Sequence, residues 1–273
     1  MRILFVGDVV GRSGRSLLLE LLPGLRERFK LDFVVVNGEN AAGGFGITAP
    51  IAADFFAAGT DVITLGNHAY DQKESRGFIG AEPRILRPAN YPASAPGQGA
   101  GIFRAQNGDD VLVVNMMGRV FMDPLEDPFP AIDRVLSAHS LGAGCAAAVI
   151  DFHAEASSEK QAFAHHCDGR ASLVVGTHTH VPTADHRILV GGTAAMTDVG
   201  MTGDYESIIG MDRVEPMRRF LTRIPGGKFE AALGPATLCA VAVETDAYGR
   251  AIRVAPLRVG GALSSAEPDF WRD

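Results

Sequence analysis

Long apolar runs are the first thing missing from this chain. No window of its 273 residues approaches the roughly eighteen uninterrupted apolar residues of a membrane-spanning helix, so no span is expected. The N-terminal run ends at Gly7-Asp8, too short and too soon charged for a signal peptide. Cysteine is scarce. Cys145, Cys167 and Cys239 are odd in number and far apart, with no Cys-x-x-Cys pair, which excludes a disulfide framework and points to buried thiols in a reducing compartment. Positive charge is short as well. Lys and Arg number 25 against 32 Asp and Glu, a net charge of -7, which argues against a general nucleic-acid coat. Aromatics are only 7%, so a stacking platform is hard to place from sequence. The expected home is the cytoplasm, with no membrane and no stable nucleic-acid partner, and a homo-oligomer is left open.

What is present is a chain 47% hydrophobic, long enough to bury a large core in one domain over 1–273. Arg2 to Gly7 reads as a strand buried on both faces, because its apolar residues do not alternate with polar ones. A glycine-containing turn follows, then helical spacing from Ser16 to Phe29, broken at Pro23. The pattern repeats. Asp32 to Val36 is a strand running into Asn37-Gly38-Glu39-Asn40, and Thr48 is placed to cap a helix over Pro50 to Ala58, with Gly59 as its stop. Asp61 to Leu65 is a third strand, ending at Gly66-Asn67-His68. Strand, polar cluster and helix in succession is the order of a βαβ sheet.

Glu82 to Gly108 is rich in Pro, Gly and Ala and reads as a long surface connection. Val111 to Asn115 is a strand, Ala131 to Ser140 a helix, and Ala146 to Ile150 a strand that delivers Asp151-Phe152-His153. Ser158 with Gln161 fits a capping box; His165 and His166, in the last turn of that helix, read as structural. Ser172 to Gly176 is again a strand, and it runs into His178 and His180. In extended backbone such an i, i+2 pair points to one side, an arrangement suited to metal ligation. Arg187 to Val190 is a strand and Glu215 to Leu221 a helix. Pro235 to Glu244 and Arg250 to Arg258 form an antiparallel hairpin, after which residues 262–273 look loosely held.

Asp8, Glu39/Asn40, Asn67/His68, His153 and His178/His180 all stand just past apolar strands, where an open α/β sheet binds its ligands. Turn chemistry accounts for any one of them, but not comfortably for five clusters together. The set exceeds the needs of one tetrahedral metal. It suits two metals sharing a carboxylate, which make hydroxide from water at neutral pH and clamp a phosphoryl group.

Asp8, Gly66-Asn67-His68, His153 and Gly176-Thr177-His178-Thr179-His180 resemble the ordered motif set of the calcineurin-like metallophosphoesterases. That family's first motif is usually Asp-x-His and its second Gly-Asp; here Val10 and Gly38-Glu39-Asn40 stand instead. Those departures, with Thr197 to Gly203 and Ser158 to Gln161, resemble over almost the full chain the YmdB-like group, described as 2′,3′-cyclic-nucleotide 2′-phosphodiesterases. The resemblance implies a four-layer α/β/β/α sandwich with the metals at the C-terminal ends of the strands. Asp8, Asn40 and His180 would hold one metal, Asn67, His153 and His178 the other, and Glu39 would bridge them. Two divalent or trivalent transition metals are implied, iron first, with manganese or zinc next. His68 would be the catalytic acid, since imidazole titrates near neutral pH, at about 6.5. The substrate would be a small nucleotide or other phosphodiester, and the resemblance favours a 2′,3′-cyclic nucleotide opened to the 3′-nucleotide. Phe45 and Tyr70 are candidates to stack on its base. Two other readings stay open: a metal- and nucleotide-binding regulator with little turnover, and a phosphomonoesterase using the same centre.

Overall fold

The computed structural model describes residues 1–271. The fold begins with β1 (Arg2–Val6), α1 (Gly11–Phe29), β2 (Phe33–Asn37), α2 (Ala49–Ala57), β3 (Val62–Thr64), α3 (Ser75–Ala81) and β4 (Ile85–Leu86). Next come β5 (Ala100–Arg104), β6 (Asp110–Met117), α4 (Pro128–Ala138), β7 (Ala147–His153), α5 (Ser157–His166), β8 (Leu173–Thr177), β9 (Arg187–Ile188) and β10 (Ala194–Met196). The chain finishes with β11 (Gly203–Asp204), α6 (Val214–Thr222), β12 (Ala236–Thr245), β13 (Ala251–Gly260) and a 3-10 turn at Asp269–Trp271.

Two sheets result. One has seven strands in the order β11-β12-β1-β2-β3-β4, with β13 on the far side of β12; the other has six, β5-β6-β7-β8-β10-β9. The central strands of each run parallel, so their C-terminal ends share one edge. Side-chain alternation then sorts the core into layers. Ile3, Phe5, Phe33 and Val35 meet Val111, Val113, Val149 and Val175 between the sheets. Leu4, Val6, Val34 and Val36 point the other way, onto Leu18, Leu22, Phe29 and Phe55 of α1 and α2. Leu112, Val114, Ile150 and Phe152 cover Ile132, Leu136 and Phe163 of α4 and α5. The molecule is the four-layer α/β/β/α sandwich that the motifs imply. Among the described residues no helix is long and apolar enough to cross a membrane.

Several boundaries move. Helix α1 runs through Pro23 without a break. An interior proline costs about 3 kcal/mol, but burying Leu18, Leu22, Leu25 and Phe29 returns roughly 1.5–3 kcal/mol each. The connection from Glu82 to Gly108 holds two strands, β4 and β5, too short to show a pattern in sequence. The capping box at Ser158 does not form: Ala156 is the N-cap without a side-chain bond, and Glu159 instead accepts the N–H groups of Arg119 and Val120. Nor is the tail loose throughout. Trp271 is buried against Phe29, with ring centres 5.6 Å apart, and Arg28 pairs with Glu267. Residues 272–273 of that stretch lie outside the described residues.

Candidate metal centre

The same alternation that packs Val149 between the sheets places Asp151 and His153 on that face, one step nearer the strand end. Asn37, Thr64 and Thr177 reach it in the same way from β2, β3 and β8. Asp151 accepts from Asn37 Nδ2 at 2.9 Å, Thr64 Oγ1 at 2.6 Å and Thr177 Oγ1 at 2.6 Å. It is fully buried, and burial raises its carboxyl above the ordinary value although His153 and the three bonds oppose this. Thr177, having given its proton to Asp151, accepts His153 Nδ1–H at 2.9 Å. That fixes the tautomer of His153 and leaves Nε2 facing the strand edge.

His178 is oriented from the other side. Its Nε2 lies 3.2 Å from Glu155 Oε2, and its Nδ1 lies 3.1 Å from His153 Nε2. Glu39 Oε1 stands 3.0 Å and Asn67 Oδ1 2.9 Å from that same His153 nitrogen. Two ring nitrogens whose outer partners are engaged, a carboxylate and an amide oxygen therefore converge on one point. All four are acceptors, and a cation satisfies them together. Glu39, His153 and His178 offer ligand atoms all within 4.8 Å of one another. Gly66 is required here because a Cβ would overlap Glu39 and His153.

A second group lies beside the first. Asp8 accepts from the His178 backbone N–H at 3.2 Å and stands 3.8 Å from His180 Nε2. His180 gives its Nδ1–H to the Ile209 carbonyl at 2.7 Å, so its Nε2 is the free atom. Asn40 binds Gly44 O through Nδ2 at 2.9 Å, while its buried Oδ1 has no partner. A buried amide oxygen left in this state costs about 1–3 kcal/mol unless something positive meets it. The residues present thus fit metal ions: Asn40, with its partnerless Oδ1, lines one cavity with Glu39, His178 and His180, and the acceptor cluster needs a counter-charge.

The electrostatics agree. Burial opposes a proton on His153, but Glu39 and Asp8 outweigh it and hold the imidazole at about 9. Burial would raise Glu39, yet His153 brings it down to about 2. His178 falls to about 3, from burial and then the charge of His153, and burial also lowers His180. Asp8 is pushed well above the ordinary carboxylate value by burial, partly offset by His153.

The geometry of His178 and His180 differs from the extended pair expected. Strand β8 stops at Thr177, and the two residues have φ of 93° and 65°, in the left-handed region. Such backbone is strained by about 1–3 kcal/mol per residue, and it is this turning, not strand alternation, that brings the rings inward. His68 sits apart from the ligand cluster: its backbone N–H meets Glu39 Oε2 at 3.1 Å, its Nδ1 meets Asp71 Oδ2 at 2.7 Å, and Nε2 has no partner among the described residues. It lines a cavity of about 490 Å³ that opens over Glu39, Asn40, His178 and His180. Phe45 is in that cavity, edge-on to His68 at 5.1 Å. Tyr70 is not; its hydroxyl binds Pro96 O at 2.5 Å and its ring meets Tyr91. Asp71, Asp151, Glu155 and Thr177 escaped sequence reasoning. Only the i±2 spacing of Asp151 and Glu155 about His153 could have flagged two of them.

The model of the YmdB-like protein family matches residues 4–257. The chain belongs to that family. A Bacillus subtilis (strain 168) protein named 2′,3′-cyclic-nucleotide 2′-phosphodiesterase is 48% identical over 246 residues, 90% of this chain and 92% of that one. The crystal structure of a hypothetical protein from Thermus thermophilus superposes with a TM-score of 0.90 at 43% identity, covering 96% of this chain and 100% of that one. A structure titled as a novel phosphatase from Mycoplasma pneumoniae gives 0.87 at 32% identity, over 95% and 93%. As a YmdB-like protein the chain is an enzyme, a hydrolase of the metallophosphoesterase type, and that type works with metal ions.

Proposed function

We propose that this protein hydrolyses phosphodiesters at a two-metal centre, and that its substrates are 2′,3′-cyclic nucleotides opened to 3′-nucleotides. The observation that carries the reading is the convergence of His153 Nε2, His178 Nδ1, Glu39 and Asn67, beside a His68 whose Nε2 is uncommitted. The name of the Bacillus subtilis relative supports the substrate. Asn67, His153 and His178 would hold one ion, Asp8, Asn40 and His180 the other, with Glu39 between them. When bound, the ions neutralise charge building on the phosphoryl oxygens and acidify water. Oxygen and imidazole donors without thiolate accommodate iron, manganese or zinc, iron being our first candidate.

The residues divide the remaining work. Asp71 holds Nδ1–H of His68 and so turns Nε2 into the cavity, where it gives its proton to the departing 2′-oxygen. Phe45 excludes water from one side of that ring. The apolar cavity walls accept a base without an array of polar groups to read it, in keeping with tolerance among bases.

Elemental analysis of protein purified without chelator tests the centre, and resolving 2′- from 3′-monophosphate after incubation with each cyclic nucleotide tests the reaction. About two transition metals per chain and the 3′-product are expected. A stoichiometry near one after reconstitution would remove the bridging role of Glu39, and exclusive 2′-product would overturn the regiochemistry. Release of phosphate from aryl monoesters with no diester cleavage would favour a phosphomonoesterase.

A further inference from the structure

One wall of the cavity comes from residues 208–229, and its charge runs against that of the chain. Residues 208–229 carry Arg213, Arg218, Arg219, Arg223 and Lys228 against Asp212 and Glu215, in a protein of net charge -7, and of these cations Arg219 and Arg223 line the cavity. Arg219 is committed. Its Nε lies 2.7 Å from Glu215 Oε1, its Nη2 donates to Gly227 O at 2.8 Å, and its guanidinium caps the Phe229 ring at 4.0 Å. Arg223 lines the same cavity, and its guanidinium has no partner among the described residues. Arg213, Arg218 and Lys228 are likewise unpaired among the described residues. Apolar groups are interleaved with these cations: Phe220 is 70% exposed and lines the cavity, and Phe229 lines it from below the Arg219 cap.

A 2′,3′-cyclic mononucleotide carries one phosphate charge, and the metal centre takes it. Such a substrate gives Arg223 nothing to bind. A free guanidinium at Arg223 and an exposed ring at Phe220, both on the cavity wall that faces the reaction centre, match a strand that offers a further phosphate and a further base. Only ribose forms the 2′,3′-cyclic ester, so the strand is RNA. We propose that this wall binds the 3′-terminal nucleotides of single-stranded RNA, and that the reaction proposed above therefore acts on the cyclic phosphate of an RNA end as well as on free nucleotides. The inference rests on that reading for its chemistry, while the wall's affinity for a strand stands by itself. The overall acidity of the chain is no obstacle, because the attraction is local to one lip of the cavity.

Fluorescence anisotropy on the metal-loaded full chain tests it, with a labelled pentaribonucleotide ending in a 3′-phosphate against the 3′-mononucleotide. The pentamer should bind at least about tenfold tighter, with a log–log salt slope steeper than the mononucleotide's by about 0.7, the value of one phosphate contact on a single strand. Arg223→Ala should remove that extra slope of about 0.7. In turnover, Arg223→Ala should lower the ratio of kcat/KM for a cyclic-phosphate-ended pentamer to that for a cyclic mononucleotide by about fivefold, through KM. Equal affinities for pentamer and mononucleotide, or a ratio unmoved by Arg223→Ala, overturn the proposal even if cyclic nucleotides are cleaved. Tight, Arg223-dependent binding of the pentamer without cleavage of any cyclic phosphate would support the wall and sink the reaction instead. Sedimentation with phosphatidylglycerol vesicles that depends on Phe220, with no preference for the pentamer, would assign the wall to a lipid surface and overturn it.

Discussion

Lys160 Nζ lies 2.7 Å from Asp198 Oδ2, both side chains buried, and the loop carrying His178 and His180 hangs from that carboxylate. The backbone N–H and hydroxyl of Thr179 donate to the same oxygen, at 3.2 and 2.6 Å, and Gly200 N–H to the other at 2.8 Å. Removing Asp198 leaves Lys160 charged and unpaired in a dry place. Asp198→Ala should therefore cost about 3–5 kcal/mol in denaturant unfolding, and release metal as the loop relaxes. A loss under about 1 kcal/mol would show that the pair is replaceable.

His68 and the ligands should separate by metal content. His68→Ala is expected to retain its metals and lose turnover by about 10²–10⁴-fold, and Asp71→Asn to lose less by freeing the ring. Replacement of Asp8 or His178 should lower occupancy as well. If His68→Ala emerges stripped of metal, the acid assignment is wrong.

Thr177→Val tests the orienting chain from Asp151 to His153. The substitution keeps the shape and removes the acceptor of His153 Nδ1–H, so metal affinity should fall by about 10–100-fold. Competition with a calibrated chelator measures this directly, without reference to activity. Unchanged affinity would mean that packing alone positions the ring.

The thiols should be inert. Burial pushes Cys167 up to about 12 and Cys239 to about 11, and raises Cys145. A raised thiol has little thiolate at mildly alkaline pH, and reactivity follows the thiolate. Alkylation followed by mass spectrometry should label none of the three in the native protein and all after denaturation.

Much of this was legible in sequence, for one reason. Buried parallel strands show as unbroken apolar runs, and Asp8, Glu39, Asn67 and His153 stand where those runs stop. The donors could be picked out without knowing the strand order. The loop at His178 and His180 could not be read, because positive φ is uncommon even at histidine and residue type alone does not mark where it occurs. Asp151 was visible only as the first residue past a strand; its partners Asn37 and Thr64 come from the opposite sheet, and no local pattern brings them together. The cavity wall at 208–229 escaped for the same reason, being folded over a site whose other parts lie far away in the chain. Tyr70 shows the converse error: nearness in sequence to His68 did not place it in the cavity.

In the proposed centre the two sheets would contribute different chemistry. Asp8, Glu39, Asn40 and Asn67 follow strands of the seven-stranded sheet and would offer only oxygen; His153, the last residue of its strand, and His178 and His180, just past theirs, belong to the six-stranded sheet and would offer only nitrogen. Hard and borderline donors would thus be partitioned along the seam between the halves. A change in one half shifts the oxygen count and a change in the other the nitrogen count, so selection could retune which metal is preferred by working on one sheet while the other stays as it is.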